Sequence, residues 1–242
     1  MNKTRLSRVI ANMEAQSLEQ IVVTSTSSVY YLTGIHVEPM ERMLALYIHT
    51  SGRCVLYANE LFAIPPQEDL ELLLHTDSDD PAALLAAGVA PGRLGIDKSW
   101  PSKFLIRVLE ARPDVAPVLG SAPVDEARMI KDEAEIAAMR RASRINDQVV
   151  GQAIAALHAG ASETEIADLV ERLFREKGAN RSSEGQLVCF GPNGADPHHG
   201  PDGTRLREGD SVVLDIFIPI GRYWCDMTRT VFFRSASEEG RR

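Results

Sequence analysis

Asp215 and Asp226 stand eleven residues apart in a β-rich segment, residues 211–233, which Pro219 and Gly221 divide into two runs. That pattern reads as a hairpin. A turn centred between Ile220 and Gly221 would set the two carboxylates directly opposite one another, with Cβ atoms about 4.5–5.5 Å apart, where like charges repel. Each Asp also sits among apolar residues, where an unpaired buried carboxylate is costly and tends to take up a proton. A divalent cation between them removes both penalties. Two metal ions about 3.5–4 Å apart, bridged by such carboxylates, recur in enzymes that activate water for hydrolysis. The same spacing also suits a solvated hairpin in which Asp226 pairs with Arg222 or Arg229 and Asp215 faces water or a helix terminus. Upstream, Asp196-Pro197-His198-His199-Gly200 offers imidazoles that can donate hydrogen bonds, act as general acid or base, or ligate metal, or that simply face solvent.

The elements that must position these groups are legible in outline. Apolar residues recur at helical intervals from Thr4 to Leu18, followed by a short β-like run at Ile21-Val22-Val23. Strands are expected at residues 43–49 and 54–58, joined through Thr50-Ser51-Gly52-Arg53 as a hairpin. Helices are expected at residues 81–87 and 101–111, with a β-like run at 93–96 between them. The mixture is α/β (α+β) in class. A long helix begins near Lys131 and runs toward Leu157. Another opens at Ser162, with Glu165 three residues later as a capping-box signature, and ends near Gly178. Residues 187–190 and the segment after a Gly-, Pro- and Asp-rich loop at 191–203 complete the reading. Two domains follow, residues 1–125 and 126–242, with the boundary in the 121–130 region.

The chain has 242 residues, enough for two modest domains, and its 44% hydrophobic and 25% charged residues are those of a globular protein. Its formal net charge of −8, from 34 acidic against 26 basic residues, argues against nucleic acid or a membrane surface as partner. Lys3, Arg5 and Arg8 precede no continuous apolar core, so no signal peptide is expected, and no stretch approaches the roughly 18 apolar residues of a spanning helix. A cytoplasmic protein is the expectation. Cys54, Cys189 and Cys225 follow no metal-binding or CxxC spacing, and they read as free, buried thiols.

Pro197-His198 ahead of Gly209-Asp210, then Val213-Leu214-Asp215 and Cys225-Asp226-Met227-Thr228-Arg229-Thr230, together resemble the signature of the pita-bread metallopeptidases, which include prolidase (Xaa-Pro dipeptidase), aminopeptidase P and methionine aminopeptidase. Arg128, Lys131, Glu135 and Met139-Arg140 resemble the entry to that catalytic domain, and Tyr30-Tyr31-Leu32-Thr33-Gly34 resembles the creatinase-type N-terminal domain carried by the proline-specific branch. That N-terminal domain disfavours methionine aminopeptidase. The resemblance implies a creatinase-like α/β domain followed by the first part of a pita-bread domain, and hydrolysis of Xaa-Pro bonds in proline-containing peptides. It implies two divalent ions (Mn, Co or Zn), with Asp215 and Asp226 as metal ligands and His198 beside the substrate. Phe217 departs from the glycine found there in many relatives. The metal-binding histidine and two glutamates of the family match no residue before Arg242, so an incomplete catalytic domain is expected. That leaves an inactive fragment or interaction subunit as the alternative, with the remaining ligands in a missing C-terminal part. The family also suggests a homodimer. A metal-independent creatinase-like amidinohydrolase would share the fold but does not use the two aspartates.

Overall fold

The computed structural model describes residues 1–179, 185–238 and 240, and their contacts divide into two compact units, Met1–Ile130 and Lys131–Arg242. The sequence-based boundary after residue 125 falls inside helix α5, Ala122–Met129. That helix belongs whole to the first unit, where Asn12 Nδ2 donates to Pro123 O (2.9 Å) and Tyr31 Oη to Ala127 O (3.1 Å).

The first unit is a six-stranded mixed sheet in the order β4-β3-β2-β1-β5-β6. Its strands are β1 (Gln20–Val23), β2 (Ala45–His49), β3 (Cys54–Asn59), β4 (Glu71–His75), β5 (Gly92–Ile96) and β6 (Val115–Leu119). β1 to β3 are buried on both faces, which is why they read as continuous apolar runs rather than alternating ones. Successive side chains still go to opposite sides. Ile21, Val23, Leu46, Ile48 and Leu56 share a core with Val9 and Met13 of α1 (Lys3–Ala15) and Leu32 of α2 (Thr26–Thr33). Val22, Tyr47, Val55 and Leu94 share another with Leu85 of α3 (Pro81–Gly88) and Phe104 of α4 (Ser102–Ala111). The expected 50–53 hairpin turn is present, with Gly52 at φ 91°.

The second unit opens with α6 (Glu133–Ala155), closed at its start by a reciprocal capping box: Glu135 N donates to Asp132 Oδ1 and Asp132 N to Glu135 Oε2, both 2.9 Å. The box expected at Ser162 is only half formed. Ser162 Oγ accepts from Glu165 N (3.1 Å), while the Glu165 carboxylate turns to His158 Nε2 (3.1 Å). Helix α7 (Glu163–Glu176) and α6 cover one face of an antiparallel sheet ordered β7-β8-β9. These strands are β7 (Leu187–Phe190), β8 (Ser211–Ile220) and β9 (Tyr223–Phe232).

Along β8, Val212, Leu214, Ile216, Ile218 and Ile220 are buried against the helices, while the residues between them point to the other face. At about 1.5–3 kcal/mol for each large apolar side chain buried, a one-residue slip would expose all five, so the face presented by Asp215 is strongly specified.

Candidate functional site

The hairpin turn decides how the two aspartates meet. It is a two-residue loop, Gly221 (φ 58°) and Arg222 (φ 72°), closed by the Ile220–Tyr223 pair. Both central residues at positive φ is the twist-matched hairpin geometry. The turn is therefore centred one bond later than the sequence suggested, and the register moves with it. Asp215 faces Thr228, and Asp226 faces Phe217. The carboxylates are not directly opposed, as expected from the sequence, but diagonal neighbours on one face. Such neighbours lie about 7–8 Å apart, still within reach of polar side chains.

They interact across that diagonal. Burial, the negative charge of Asp215 and a hydrogen bond to it all push the Asp226 carboxyl above the usual carboxylate range. Thr228 Oγ1 donates to Asp215 Oδ1 at 2.6 Å, which orients that carboxylate from directly across the ladder. Asp226 is exposed, as on a solvated hairpin, but the arginine partner of that alternative does not form. Arg229 donates to the carbonyl of Thr228 (2.8 Å), and among the described residues no cation pairs with Asp215 or Asp226. Two carboxylates sharing a face, with no counter-charge, form a hard oxygen donor set that suits a divalent cation.

The loop that carries His198 packs on the same face of the sheet through its neighbours. Cys189 lies opposite Val213, two residues before Asp215 on the aspartate side of the sheet. Its Sγ donates to His199 O at 3.9 Å, and its thiol is pushed up to about 11, by burial first and then by the charges of Glu163, Asp196 and Asp215. A Cβ on Gly194 would stand 3.1 Å from Val213 Cγ2, so the short 3₁₀ turn Gly191–Ala195 lies directly on this face. His198 itself is exposed, and its backbone N–H donates to Asp196 Oδ1 (3.0 Å). Among the described residues its imidazole makes no hydrogen bond to either aspartate.

His199, to which the sequence assigned no role, is tied to a residue the sequence reading passed over. Its Nε2 donates to Glu163 Oε2 at 2.9 Å. Glu163, His199 and Asp202 bring ligand atoms within 4.8 Å of one another, as a metal site would. Glu163 nevertheless also accepts from Phe190 N (2.6 Å), Asn193 Nδ2 (3.0 Å) and Asp202 N (3.1 Å). Four donors on two oxygens leave that carboxylate without a free lone pair for an ion.

Fold and site together define a metallopeptidase class in which an α/β unit precedes a sheet carrying paired carboxylates. Residues 5–130 match the creatinase/prolidase N-terminal domain and residues 137–242 match metallopeptidase family M24. The chain belongs to that family. It is 35% identical over 236 residues to the probable dipeptidase PepE of Mycobacterium tuberculosis, a match spanning 93% of this chain and 62% of the relative. Among solved structures, a prolidase from Thermococcus sibiricus superposes with a TM-score of 0.89 at 30% identity, covering 100% of this chain and 68% of that one. Dipeptidase PepE from Mycobacterium ulcerans gives 0.84 at 29% identity, covering 98% and 66%. The chain thus spans 62–68% of the length of the curated relatives it matches. No helix among the described residues is long and apolar enough to cross a membrane.

Proposed function

We propose that the protein carrying this chain hydrolyses Xaa-Pro peptide bonds with the help of two divalent metal ions, Asp215 and Asp226 being two of their ligands and His198 a group at the substrate. The observation that carries this reading is the pair of carboxylates on one sheet face, without a basic side chain to pair them among the described residues, beside the loop that carries His198. The prolidase and dipeptidase relatives supply the substrate class. Divalent ions bound there would supply an acidified water and Lewis-acid polarisation of the scissile carbonyl.

The chain's own residues do the rest. Thr228 holds Asp215 in one orientation, so that its second oxygen keeps a fixed direction. Asp226 gives up its unfavourable proximity to Asp215 when a cation joins them, which ties metal binding to the geometry of this face. His198, exposed and fixed at its backbone by Asp196, is available to donate a ring N–H to the carbonyl oxygen as negative charge develops there. Replacing Asp226 with Asn tests the assignment in the full-length protein. Metal content by elemental analysis should fall, together with hydrolysis of a Gly-Pro dipeptide. A variant that keeps its full metal content would refute the ligand role.

A further inference from the structure

One carboxylate of the second unit, belonging to neither aspartate, is fully satisfied. Glu163 is the first residue of α7, its side chain has no solvent exposure, and its two oxygens collect four donors. Oε1 accepts from Phe190 N and Asn193 Nδ2, and Oε2 accepts from His199 Nε2 and Asp202 N. These donors come from the end of β7, the 3₁₀ turn, the residue after His198 and the far limb of the loop. One side chain therefore ties together four points of a segment that is otherwise mostly irregular.

The neighbouring contacts run in the same direction. Asn193 Nδ2 also donates to Thr204 Oγ1 (3.1 Å), and Thr164, the next residue of α7, donates to Asp202 O through both its N–H (3.1 Å) and its hydroxyl (2.8 Å). A carboxylate at the start of a helix is further favoured by the unpaired N–H groups there. The Glu163 contact also holds the His199 imidazole above its ordinary pKa, ahead of the opposing effect of burial, with the charges of Glu163, Asp202 and Asp196 adding to the rise. His198 is exposed but held on both sides: Asp196 accepts from its own backbone N–H, and Glu163 fixes the ring of the residue that follows it.

We propose that Glu163 is the positioning residue for His198, its buried carboxylate closing the 190–204 loop that carries His198 into a single conformation. The catalytic half of this proposal rests on the role assigned above to His198. The loop-holding half does not.

Glu163→Gln changes neither volume nor shape, but whichever way the amide is turned its NH₂ meets a backbone N–H, Phe190 on one side or Asp202 on the other, that cannot turn into an acceptor. In the 242-residue chain, hydrogen exchange of the loop amides, Phe190 and Asp202 above all, should speed up about tenfold or more while β8 and β9 amides keep their protection. In the full-length protein, kcat for a Gly-Pro dipeptide should fall about 100-fold with KM and metal content little changed, the loss expected when a reacting group is misplaced by about 1 Å. A double variant with His198→Ala should be no slower than His198→Ala alone, because residues acting as one unit are not additive.

Unchanged loop exchange, or additive losses in the double variant, would overturn the proposal. Should Glu163→Gln fail to fold, His199→Ala and His199→Gln repeat the comparison from the half-buried side of the same contact. The alanine should loosen the loop and slow turnover, and the glutamine, which keeps a donor, should recover much of both. An alanine variant identical to the parent in both measurements would refute the idea. If His198→Ala is fully active, the role of His198 falls and takes the catalytic half with it, whereas the exchange comparison still decides whether Glu163 holds the loop.

Discussion

Thr228 shows how a single side chain can decide the use of a carboxylate. Asp215 could have turned either oxygen into the open face, and the hydroxyl across the ladder, 2.6 Å away, selects one. Groups that orient metal ligands from outside the ligand shell commonly change metal affinity by about 10- to 100-fold. Thr228→Val keeps the shape and β propensity but removes the donor. We expect metal affinity to drop by at least about tenfold, with the stability of the metal-free chain changed by less than about 1 kcal/mol because the site is exposed. Calorimetric titration with Mn²⁺, alongside urea unfolding without metal, checks both halves. The two aspartates and His198 stood out as candidates because acidic residues in an apolar β pattern, and paired histidines in a Gly- and Pro-rich loop, are unusual types in those places, and the roles proposed for them came from the family resemblance. Thr228 and Glu163 did not. A threonine belongs in any strand and a glutamate in any first helical turn, and what sets them apart is partners that only the folded chain brings within reach.

At the level of elements, the same division separates what local pattern announces from what packing decides. The β1, β2, β3, α3, α4, α6 and α7 segments carry periodicity or caps strong enough to read. Helix α2, Thr-Ser-Ser-Val-Tyr-Tyr-Leu-Thr, is rich in β-branched and aromatic residues, and burial of Val29, Tyr31 and Leu32 overrides that preference. Strand β6 contains Pro117, tolerated because it is an edge strand. The register of β8 and β9 was out of reach for a subtler reason. Arg222 adopts positive φ without being Gly, Asn or Asp, so the turn centre had no residue signal.

A hidden device also joins elements in the first unit. Asp97, just after β5, accepts from Thr24 N (2.9 Å) and Ser25 N (3.0 Å), which lead from β1 into α2, and from Ser121 Oγ (3.2 Å) beside α5. Burial alone would raise its carboxyl. The N–H groups of Thr24, Ser25 and Ser99 and the Ser121 hydroxyl outweigh burial and hold it below the usual carboxylate range. The sign follows: a depressed acid contributes stability at pH values above its unfolded pKa of about 3.9, and that contribution disappears as pH falls through the lower folded value. Asp97→Asn should therefore cost about 1.5–3 kcal/mol at neutral pH, the range for hydrogen bonds to a charged group. The gap between variant and parent should narrow as the solution is made strongly acidic. Urea unfolding at the two pH values measures it, and equal stability at neutral pH would mean that the four contacts contribute nothing net.

For the molecule as a whole, the two units differ in how completely their sheets are covered. The first has an apolar core on each face of its sheet, one with α1, α2 and α5 and one with α3 and α4. In the second, among the described residues, the α-helices cover one face. Its other face carries Phe217 and Trp224, with ring centroids 6.3 Å apart, and Phe232, around the aspartates, and Trp224 is 51% exposed. Strand β9 is also an edge. Large exposed aromatics beside an unpaired strand edge favour association. Residues 1–130, expressed alone, should unfold in one cooperative urea transition and remain monomeric. Residues 131–242, expressed alone, should associate with rising concentration. Trp224 is the lone tryptophan of that second segment, so its emission reports directly on whether the open face becomes covered. A shift to shorter wavelength and weaker quenching by acrylamide should accompany association. If the second segment instead stays monomeric with Trp224 fully quenchable at every concentration, the open face is less sticky than its aromatic content implies, and the charge of Asp215 and Asp226 is what keeps it in water.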